Sequence, residues 1–334
     1  YSPLSNKAVN GTYAPGSTFK MCVALAGLES GIISADQRFF CNGHLDLGNA
    51  RFHCWKRGGH GWVNMHNSLK HSCDVYYYEI SQKIGIDRIA AMANKLGLGT
   101  ETGIDLPNER SGLIPTKDWK EIQLGKRWQG GETLIASIGQ GYVLTTPLQL
   151  CTMTARIASG KAVKPHLTRD HVAPDGISSR QNEEFPDLQI SRASLARVRD
   201  GMNGVSNELH GTGYRARIDI KGMELAGKSG TSQVRRITMR ERQTTGVLDN
   251  DDLPWKYRDH ALFVAFAPIE NPRYACAVVV DHGGGGSSVA APIVRDLLIK
   301  AQELQSARPG ISAAVLPASA QLRPKPPQSE EGEG

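Results

Sequence analysis

A serine and a lysine, Ser17 and Lys20, stand three residues apart at the start of an apolar segment. Three residues are just under one helical turn, so both side chains project from one helix face. An uncharged lysine amine in that place can take the serine proton, and the activated oxygen can attack a carbonyl carbon. Backbone N–H groups at the helix N-terminus would stabilise the developing negative charge. By itself the spacing arises by chance in a chain of this length, and a capping serine with a solvated lysine would explain it.

Two further polar segments could complete a site of this kind. Residues 228–231, with the sequence Lys-Ser-Gly-Thr, lie in a predicted strand, where hydroxyls and an ammonium group could hold a carboxylate. The glycine permits the close approach of a ligand backbone, although an ordinary polar edge strand would look the same. Residues 72–74, with the sequence Ser-Cys-Asp, place a hydroxyl beside a carboxylate at a predicted helix start. Simple helix capping also explains that placement.

Three cysteines and a histidine form a second chemical cluster in the sequence, consisting of Cys41, Cys54, His60 and Cys73. Three thiolates and one imidazole suit a tetrahedral Zn²⁺ ion. The spacing differs from that of a short zinc knuckle, so a disulfide or free buried thiols are also compatible with it. His44 and His53 are alternative ligands if one of the four is wrong.

The composition is that of a globular domain rather than a disordered or fibrous chain. The chain has 334 residues and a formal net charge of +6, from 39 basic and 33 acidic residues. No basic stripe with interleaved aromatic residues is present, so we expect no nucleic-acid partner. No apolar run reaches 18 residues, which predicts no membrane span within this sequence. The chain begins at Tyr1 without a signal peptide, so any membrane anchor is expected upstream.

The elements that must position these side chains follow an α+β order, with helices first, then antiparallel strands and a closing helix. Residues 32–66 read as irregular, and residues 283–286 read as a glycine-rich turn from strand to helix rather than a phosphate loop. Residues 307–334 are rich in Pro and Glu and are predicted to be disordered. The predicted helices span about 17–28, 74–84, 86–96, 146–159, 191–202 and 292–304, and the predicted strands span 223–234, 260–267 and 273–281.

Together the three polar motifs match the signature of serine β-lactamases and penicillin-binding enzymes. Further segments make the chain resemble the transpeptidase domain of class B penicillin-binding proteins, above all their elongation-specific branch. The resemblance covers residues 1 to about 305 and implies an antiparallel sheet flanked by helices. Relatives carry further strands and a pedestal domain before the nucleophile, so residues 1–306 are expected to be an N-terminally truncated transpeptidase domain. The matching segments are residues 13–20, 85–87, 102–107, 138–141, 146–150, 228–231 and 259–263.

The resemblance implies a peptidoglycan D,D-transpeptidase that cross-links stem peptides during cell elongation and maintains cell shape. Ser17 would form the acyl-enzyme, and Lys20 would accept its proton. Ser72 and Asp74 would relay a proton and orient Lys20, although many relatives have Asn where Asp74 adds a negative charge. The backbone N–H groups of Ser17 and Thr231 would hold the oxyanion. The terminal carboxylate of the stem would be bound by Lys228, Ser229, Gly230 and Thr231.

Cofactors, partners and location also follow from the resemblance. Some elongation-type relatives hold zinc beside the active site, with one ligand at the motif position that Cys73 occupies and carboxylates at places that are cysteine here. Such an ion would be structural, and the acyl transfer itself would need no cofactor. The expected partners are D-Ala-D-Ala stem peptides, β-lactams that acylate the serine, a membrane glycosyltransferase and elongation-complex proteins. The expected location is the bacterial inner membrane, with the catalytic domain in the periplasm.

Three other functions fit part of the same sequence pattern. A septal transpeptidase of the penicillin-binding protein 3 type shares the motifs, but the Cys/His cluster argues against it. A serine β-lactamase shares the first and third motifs, although no clear extra glutamate-bearing loop for fast deacylation is visible. A penicillin-sensing domain without catalysis would be acylated but would not cross-link stems.

Overall fold

The computed structural model describes residues 4–306, except residue 169 and residues 173–177, 181–183, 236–240, 242–243 and 245. The predicted C-terminal tail, residues 307–334, lies outside the described residues. Within the described part of the chain, no helix combines the length and the apolar character needed to cross a membrane.

The first half of the chain is mainly helical and carries two small antiparallel strand pairs, Phe39–Cys41 (β1) with Gly61–Val63 (β4) and His44–Leu47 (β2) with Ala50–His53 (β3). Its elements are α1 (Lys7–Asn10), a 3₁₀ turn (Gly16–Phe19), α2 (Lys20–Glu29), β1 (Phe39–Cys41), β2 (His44–Leu47), β3 (Ala50–His53), β4 (Gly61–Val63), α3 (Met65–Lys70), α4 (Asp74–Ile84), α5 (Ile86–Lys95), α6 (Lys117–Leu124), α7 (Gly130–Ser137) and α8 (Pro147–Ser159).

The second half contains the main sheet and the helices that cover it. Its elements are β5 (Asp170–Val172), β6 (Ser178–Arg180), α9 (Arg192–Asn207), a 3₁₀ turn (Tyr214–Ala216), β7 (Ala226–Ser232), two 3₁₀ turns (Asn250–Asp252 and Trp255–Tyr257), β8 (His260–Ala267), β9 (Tyr274–Val280), a π-helical turn (Gly286–Ala290) and α10 (Ala291–Ser306).

The main sheet is antiparallel with the strand order β7–β8–β9, and both of its faces are buried. Successive side chains of a strand point to opposite faces. Leu262 and Val264 of β8 therefore pack into one core with α8 and α9, whereas Phe263 packs into a second core with α10. Because helices cover both faces, the sheet holds β7 rigidly, and β7 carries the Lys-Ser-Gly-Thr segment.

Helix α2 lies inside the larger core, with every residue from Lys20 to Gly27 buried. A helix that is surrounded by apolar packing has no solvent face, so the charge at its start must find partners inside the protein. The 3₁₀ turn before α2 contains Ser17 and passes directly into the helix, because the Lys20 N–H donates to the Ser17 carbonyl. The Ser17–Lys20 motif therefore lies where the chain passes into the buried helix.

Most predicted elements near the motifs are confirmed, and so is the α+β architecture with an antiparallel sheet flanked by helices. The hairpin strands begin at His260 and Tyr274. Thr146 caps α8 in a capping box, with Pro147 at the first helical position. The glycine-rich turn leads from strand to helix, and at Gly286 an added Cβ would lie 2.2 Å from the carbonyl oxygen of Gly230. That close approach explains the glycine at position 286.

Two expectations about local structure are wrong. Residues 32–66 are not irregular, because they contain the four short strands β1–β4. Ser72 does not cap a helix: Cys73 is the N-cap of α4, and Ser72 has a φ of 52°, in the left-handed region. Helices α6 and α7 are further elements that are not among those predicted from the sequence. The expectation that further strands of the main sheet lie upstream stays a prediction.

Candidate active site

The segment that carries Ser17 packs against the outer edge of β7. Gly16 has a φ of 55°, and a Cβ added there would lie 2.3 Å from the carbonyl oxygen of Thr231, so only glycine fits. The Gly16 N–H donates to the carbonyl of Gly139 at 2.9 Å, which fixes the turn from a second side. Ser17 is half-buried, and its hydroxyl makes no side-chain hydrogen bond within the described residues. The hydroxyl is thus free to meet a ligand beside β7.

Ser72 stands at the centre of the polar cluster, with a lysine on either side. The Nζ atom of Lys20 lies 3.2 Å from Ser72 Oγ, and the Nζ atom of Lys228 lies 3.0 Å from the same oxygen. Both lysines are fully buried. An oxygen that accepts hydrogen bonds from two amines keeps its own O–H for a third partner. The structure therefore brings Lys20, Ser72 and Lys228 together, although 156 positions separate Ser72 from Lys228.

Asp74 supplies the negative charge in this cluster. Its Oδ1 accepts a hydrogen bond from Lys20 Nζ at 2.6 Å, and its Oδ2 accepts one from the backbone N–H of Trp55 at 2.9 Å. Burial raises the pKa of the Asp74 carboxyl, and the Lys20 ammonium opposes that shift. Lys20 and Asp74 therefore share a proton across this contact, and burial favours the neutral form of the carboxyl group.

Lys228 has a different electrostatic environment. Burial, followed by the nearby charge of Lys20, holds the pKa of the Lys228 ammonium well below its usual range. Its Nζ donates to the carbonyl of Ser229 at 3.0 Å, and the Ser229 hydroxyl donates to the hydroxyl of Thr212 at 3.1 Å. An entering carboxylate would stabilise the charged form of Lys228. The site is thus suited to binding an anion next to a hydroxyl nucleophile.

Thr231 presents its backbone toward the segment that carries Ser17. Its carbonyl accepts a hydrogen bond from Gln140 Nε2 at 2.9 Å, so this carbonyl does not point toward β8. The N–H and C=O groups of one strand residue point to the same side, so the Thr231 N–H also faces the side where Gly16 and Ser17 lie. Ser17 lies in the first turn of its helix, where backbone N–H groups have no intrahelical acceptor. These two amides form a candidate oxyanion hole.

The four predicted metal ligands also come together. The ligand atoms of Cys41, Cys54, His60 and Cys73 all lie within 4.8 Å of one another. His60 Nδ1 is 3.6 Å from Cys41 Sγ and 3.5 Å from Cys54 Sγ. Tetrahedral zinc with ordinary bond lengths separates a sulfur and a nitrogen ligand by about 3.5 Å, so the donor set fits zinc in both chemistry and spacing.

The cysteines of this group are thiols and form no disulfide among the residues described. A hydrogen bond from the Cys73 thiol, followed by one from His60, lowers the pKa of the Cys41 thiol to about 6. Thiolate character at neutral pH favours a soft metal ion. The alternative ligands His44 and His53 pair with each other across β2 and β3, and neither belongs to the four-ligand group.

Three hydrogen bonds in this site are not predicted by the sequence. They join Ser229 to Thr212, Gln140 to the Thr231 carbonyl, and the Trp55 N–H to Asp74. Each contact joins distant parts of the chain, so no local spacing predicts it.

Of the arginines in the loop after β7, Arg235 pairs with Glu241 in a bidentate ion pair, whereas residues 236, 240 and 242 lie outside the described residues.

Comparisons with known proteins agree on one family. The model of the penicillin binding protein transpeptidase domain matches residues 1–299. The chain is 36% identical over 301 residues to peptidoglycan D,D-transpeptidase MrdA of Salmonella typhimurium, covering 89% of this chain and 47% of that protein. The chain thus spans about half the length of the curated relatives it matches.

Solved structures give the same result. A structure of Pseudomonas aeruginosa PBP2 in complex with WCK 5153 is similar with a TM-score of 0.76 and 38% identity, over 90% of this chain and 63% of that one. A complex of PBP2 with MreC from Helicobacter pylori is similar with a TM-score of 0.77 and 33% identity, over 90% of this chain and 52% of that one.

Proposed function

The chain belongs to the penicillin-binding protein transpeptidase family, and on that premise we propose that it is an elongation-type peptidoglycan D,D-transpeptidase that maintains cell shape. It would join neighbouring stem peptides through an acyl-enzyme on Ser17 and would be acylated by β-lactams. One observation carries the proposal. Two buried lysines from distant segments meet on the hydroxyl of Ser72, and β7 packs against the turn that holds Ser17.

Acylation begins with the shared proton of the Lys20–Asp74 pair. When that proton rests on Asp74, whose pKa burial raises, the amine of Lys20 is neutral and can accept the Ser17 proton. The Ser17 oxygen then forms a bond to the carbonyl carbon of the penultimate D-alanine. The N–H groups of Ser17 and Thr231 stabilise the tetrahedral oxyanion.

The leaving group receives its proton through Ser72. Its hydroxyl contacts both lysines, so a proton can pass from Lys20 through Ser72 to the nitrogen of the terminal D-alanine as the C–N bond breaks. During this step Lys228, Ser229, Gly230 and Thr231 hold the terminal carboxylate. An amine from a neighbouring stem then attacks the ester, which restores the Ser17 hydroxyl and completes the cross-link.

The Cys/His group is proposed to hold a structural zinc ion through Cys41, Cys54, His60 and Cys73. A bound Zn²⁺ would tie these ligands together and would supply no chemistry to the acyl transfer. The Asp74 N–H donates to Cys54 Sγ at 3.4 Å, and Cys73 stands between Ser72 and Asp74. A zinc ion that fixes these ligands would therefore also help to fix Ser72 and Asp74.

Zinc analysis of the purified chain is expected to give about one ion per molecule. Replacing Cys41 with alanine should leave only a small fraction of that zinc and lower the Tm by several degrees, because a ligand that binds the folded state stabilises it. The matched control is Cys276→Ala, since Cys276 lies outside the four-ligand group. A zinc-free wild-type chain with a Cys41–Cys54 disulfide in its mass spectrum would contradict the proposal.

The partners and location are part of the same proposal. The chain would work with a membrane glycosyltransferase that supplies glycan strands and with an elongation-complex protein such as MreC, which the Helicobacter pylori relative binds in a solved complex. It would be held at the bacterial inner membrane with its catalytic domain in the periplasm.

The lifetime of the acyl-enzyme distinguishes the competing functions. With a fluorescent penicillin, we expect a covalent adduct that outlasts the assay, and with nitrocefin no sustained turnover. Supplied with pentapeptide strands and a polymerising partner, the chain should release D-alanine and form cross-linked dimers. Rapid nitrocefin turnover would indicate a β-lactamase, and an adduct without cross-links would indicate a sensing domain. If cells depleted of this protein fail to divide but keep their shape, the protein is the septal enzyme.

A further inference from the structure

Trp55 makes three hydrogen bonds to the segment that carries Ser72 and Asp74. Its backbone N–H donates to Asp74 Oδ2 at 2.9 Å. Its indole Nε1 donates to the carbonyl of Ser72 at 3.0 Å and to that of His71 at 3.1 Å. A single residue outside the motif therefore contacts both its carboxylate and its backbone.

The backbone of Ser72 needs such a restraint. Its φ of 52° lies in the left-handed region, which a serine adopts only when its surroundings hold it there. Its carbonyl accepts from Lys20 Nζ at 2.9 Å as well as from the Trp55 indole. The N–H groups of Ser72 and Cys73 donate to the carbonyls of Leu69 and Ser68, at 3.1 and 2.9 Å, and the indole adds a second donor to the Ser72 carbonyl. Without the indole, that carbonyl would keep only the Lys20 amine as a donor, and the Ser72 hydroxyl would be held less precisely between the two lysines.

Core packing does not account for this tryptophan. Its side chain is 59% exposed, and the ring contacts His60 edge-on with centroids 5.4 Å apart. A large apolar ring that remains in solvent contributes little burial free energy. The indole of Trp55 donates two hydrogen bonds, whereas that of the similarly exposed Trp62 donates none within the described residues.

We propose that Trp55 is a positioning residue for acylation, whose indole N–H holds the Ser72 carbonyl and so keeps Ser72 in its left-handed conformation. This inference rests on the proposed function of the site. Trp55 touches neither the substrate nor the reacting atoms, so it acts through the geometry of Ser72. Its loss should therefore slow the chemical step and leave the binding of a β-lactam nearly unchanged.

Trp55→Phe tests the proposal, because phenylalanine keeps the ring contact and removes only the indole donor. Acylation by a fluorescent penicillin is followed at several concentrations, which separates the saturating first-order rate from the half-saturating concentration. We expect the rate to fall by about 10- to 100-fold and the half-saturating concentration to stay within about twofold of wild type. Zinc content and Tm should match those of the wild-type chain.

Trp62→Phe is the matched control. Trp62 is 66% exposed, packs against Phe40 across β1 and β4, and makes no hydrogen bond through its indole within the described residues. Its replacement should change neither kinetic constant.

In the wild-type chain, the indole proton of Trp55 should exchange with solvent more slowly than that of Trp62, because only the first is hydrogen-bonded. This measurement needs no variant.

Each alternative outcome has a definite meaning. A Trp55→Phe chain that acylates at the wild-type rate overturns the proposal, and so does equal solvent exchange of the two indole protons. A variant that loses zinc and thermal stability together with its rate also overturns it, because Trp55 would then be a structural residue only. A wild-type chain that forms no adduct overturns the proposed function itself, independently of any difference between the tryptophan variants.

Discussion

Replacing Ser17 with alanine is expected to abolish covalent labelling by a fluorescent penicillin. The ester between the drug and the enzyme requires the Ser17 oxygen, and loss of a nucleophilic serine costs on the order of 10⁶-fold in rate, which is below detection in a gel assay. Ser17 is half-buried and its hydroxyl makes no hydrogen bond within the described residues, so the variant should fold with an unchanged Tm.

Ser34→Ala is the control for this experiment, because Ser34 is exposed and lies outside the candidate site. It should label as the wild-type chain does. Persistent labelling of the Ser17→Ala chain would assign the nucleophile to another residue, and the mechanism proposed above would have to be abandoned.

Lys20→Gln is expected to lower the saturating acylation rate by about 10²- to 10⁴-fold, the usual contribution of a general base. Glutamine is one methylene shorter than lysine, but its amide N–H groups can still donate toward the carbonyl of Ser72 and the carboxylate of Asp74. It cannot accept the Ser17 proton. The measurement is the time course of adduct formation at saturating β-lactam, with adducts counted by intact-protein mass spectrometry.

The appropriate control is another buried lysine that forms an ion pair elsewhere. Lys120 is buried and contacts both carboxylate oxygens of Glu132, at 2.5 and 2.6 Å. Lys120→Gln therefore removes a buried ion pair without touching the candidate site, and should lower Tm with little effect on acylation. If Lys20→Gln acylates within about threefold of the wild-type rate, Lys20 is not the base.

Local spacing predicted the parts of the site that depend on a single element. Ser17 and Lys20 stand within one helical turn, and the Lys228 segment pairs with β8, which is a continuous apolar run. Thr146 and Pro147 marked the start of α8 for the same reason, since capping is a local effect. In each case the neighbouring residues alone decide the conformation.

Other features depend on contacts that the sequence does not display. The strands β1–β4 have only three or four residues each, which is too short for apolar alternation to identify them. The left-handed backbone of Ser72 is held by Lys20 and Trp55, which stand far from it in sequence. Helix α7 begins at Gly130 with a Gln129–Glu132 capping box, an unusual start signal. For α6, by contrast, Thr116 and Gly125 were start and stop signals that local reasoning could have used.

The position of the covalent adduct tests the central claim most directly. The wild-type chain is acylated with a β-lactam, digested and sequenced by tandem mass spectrometry. We predict that the added mass lies on the hydroxyl of Ser17, in one adduct per chain. An adduct on Ser72 or Ser229, or none under conditions in which the chain is folded, would contradict the assignment of Ser17 as the nucleophile.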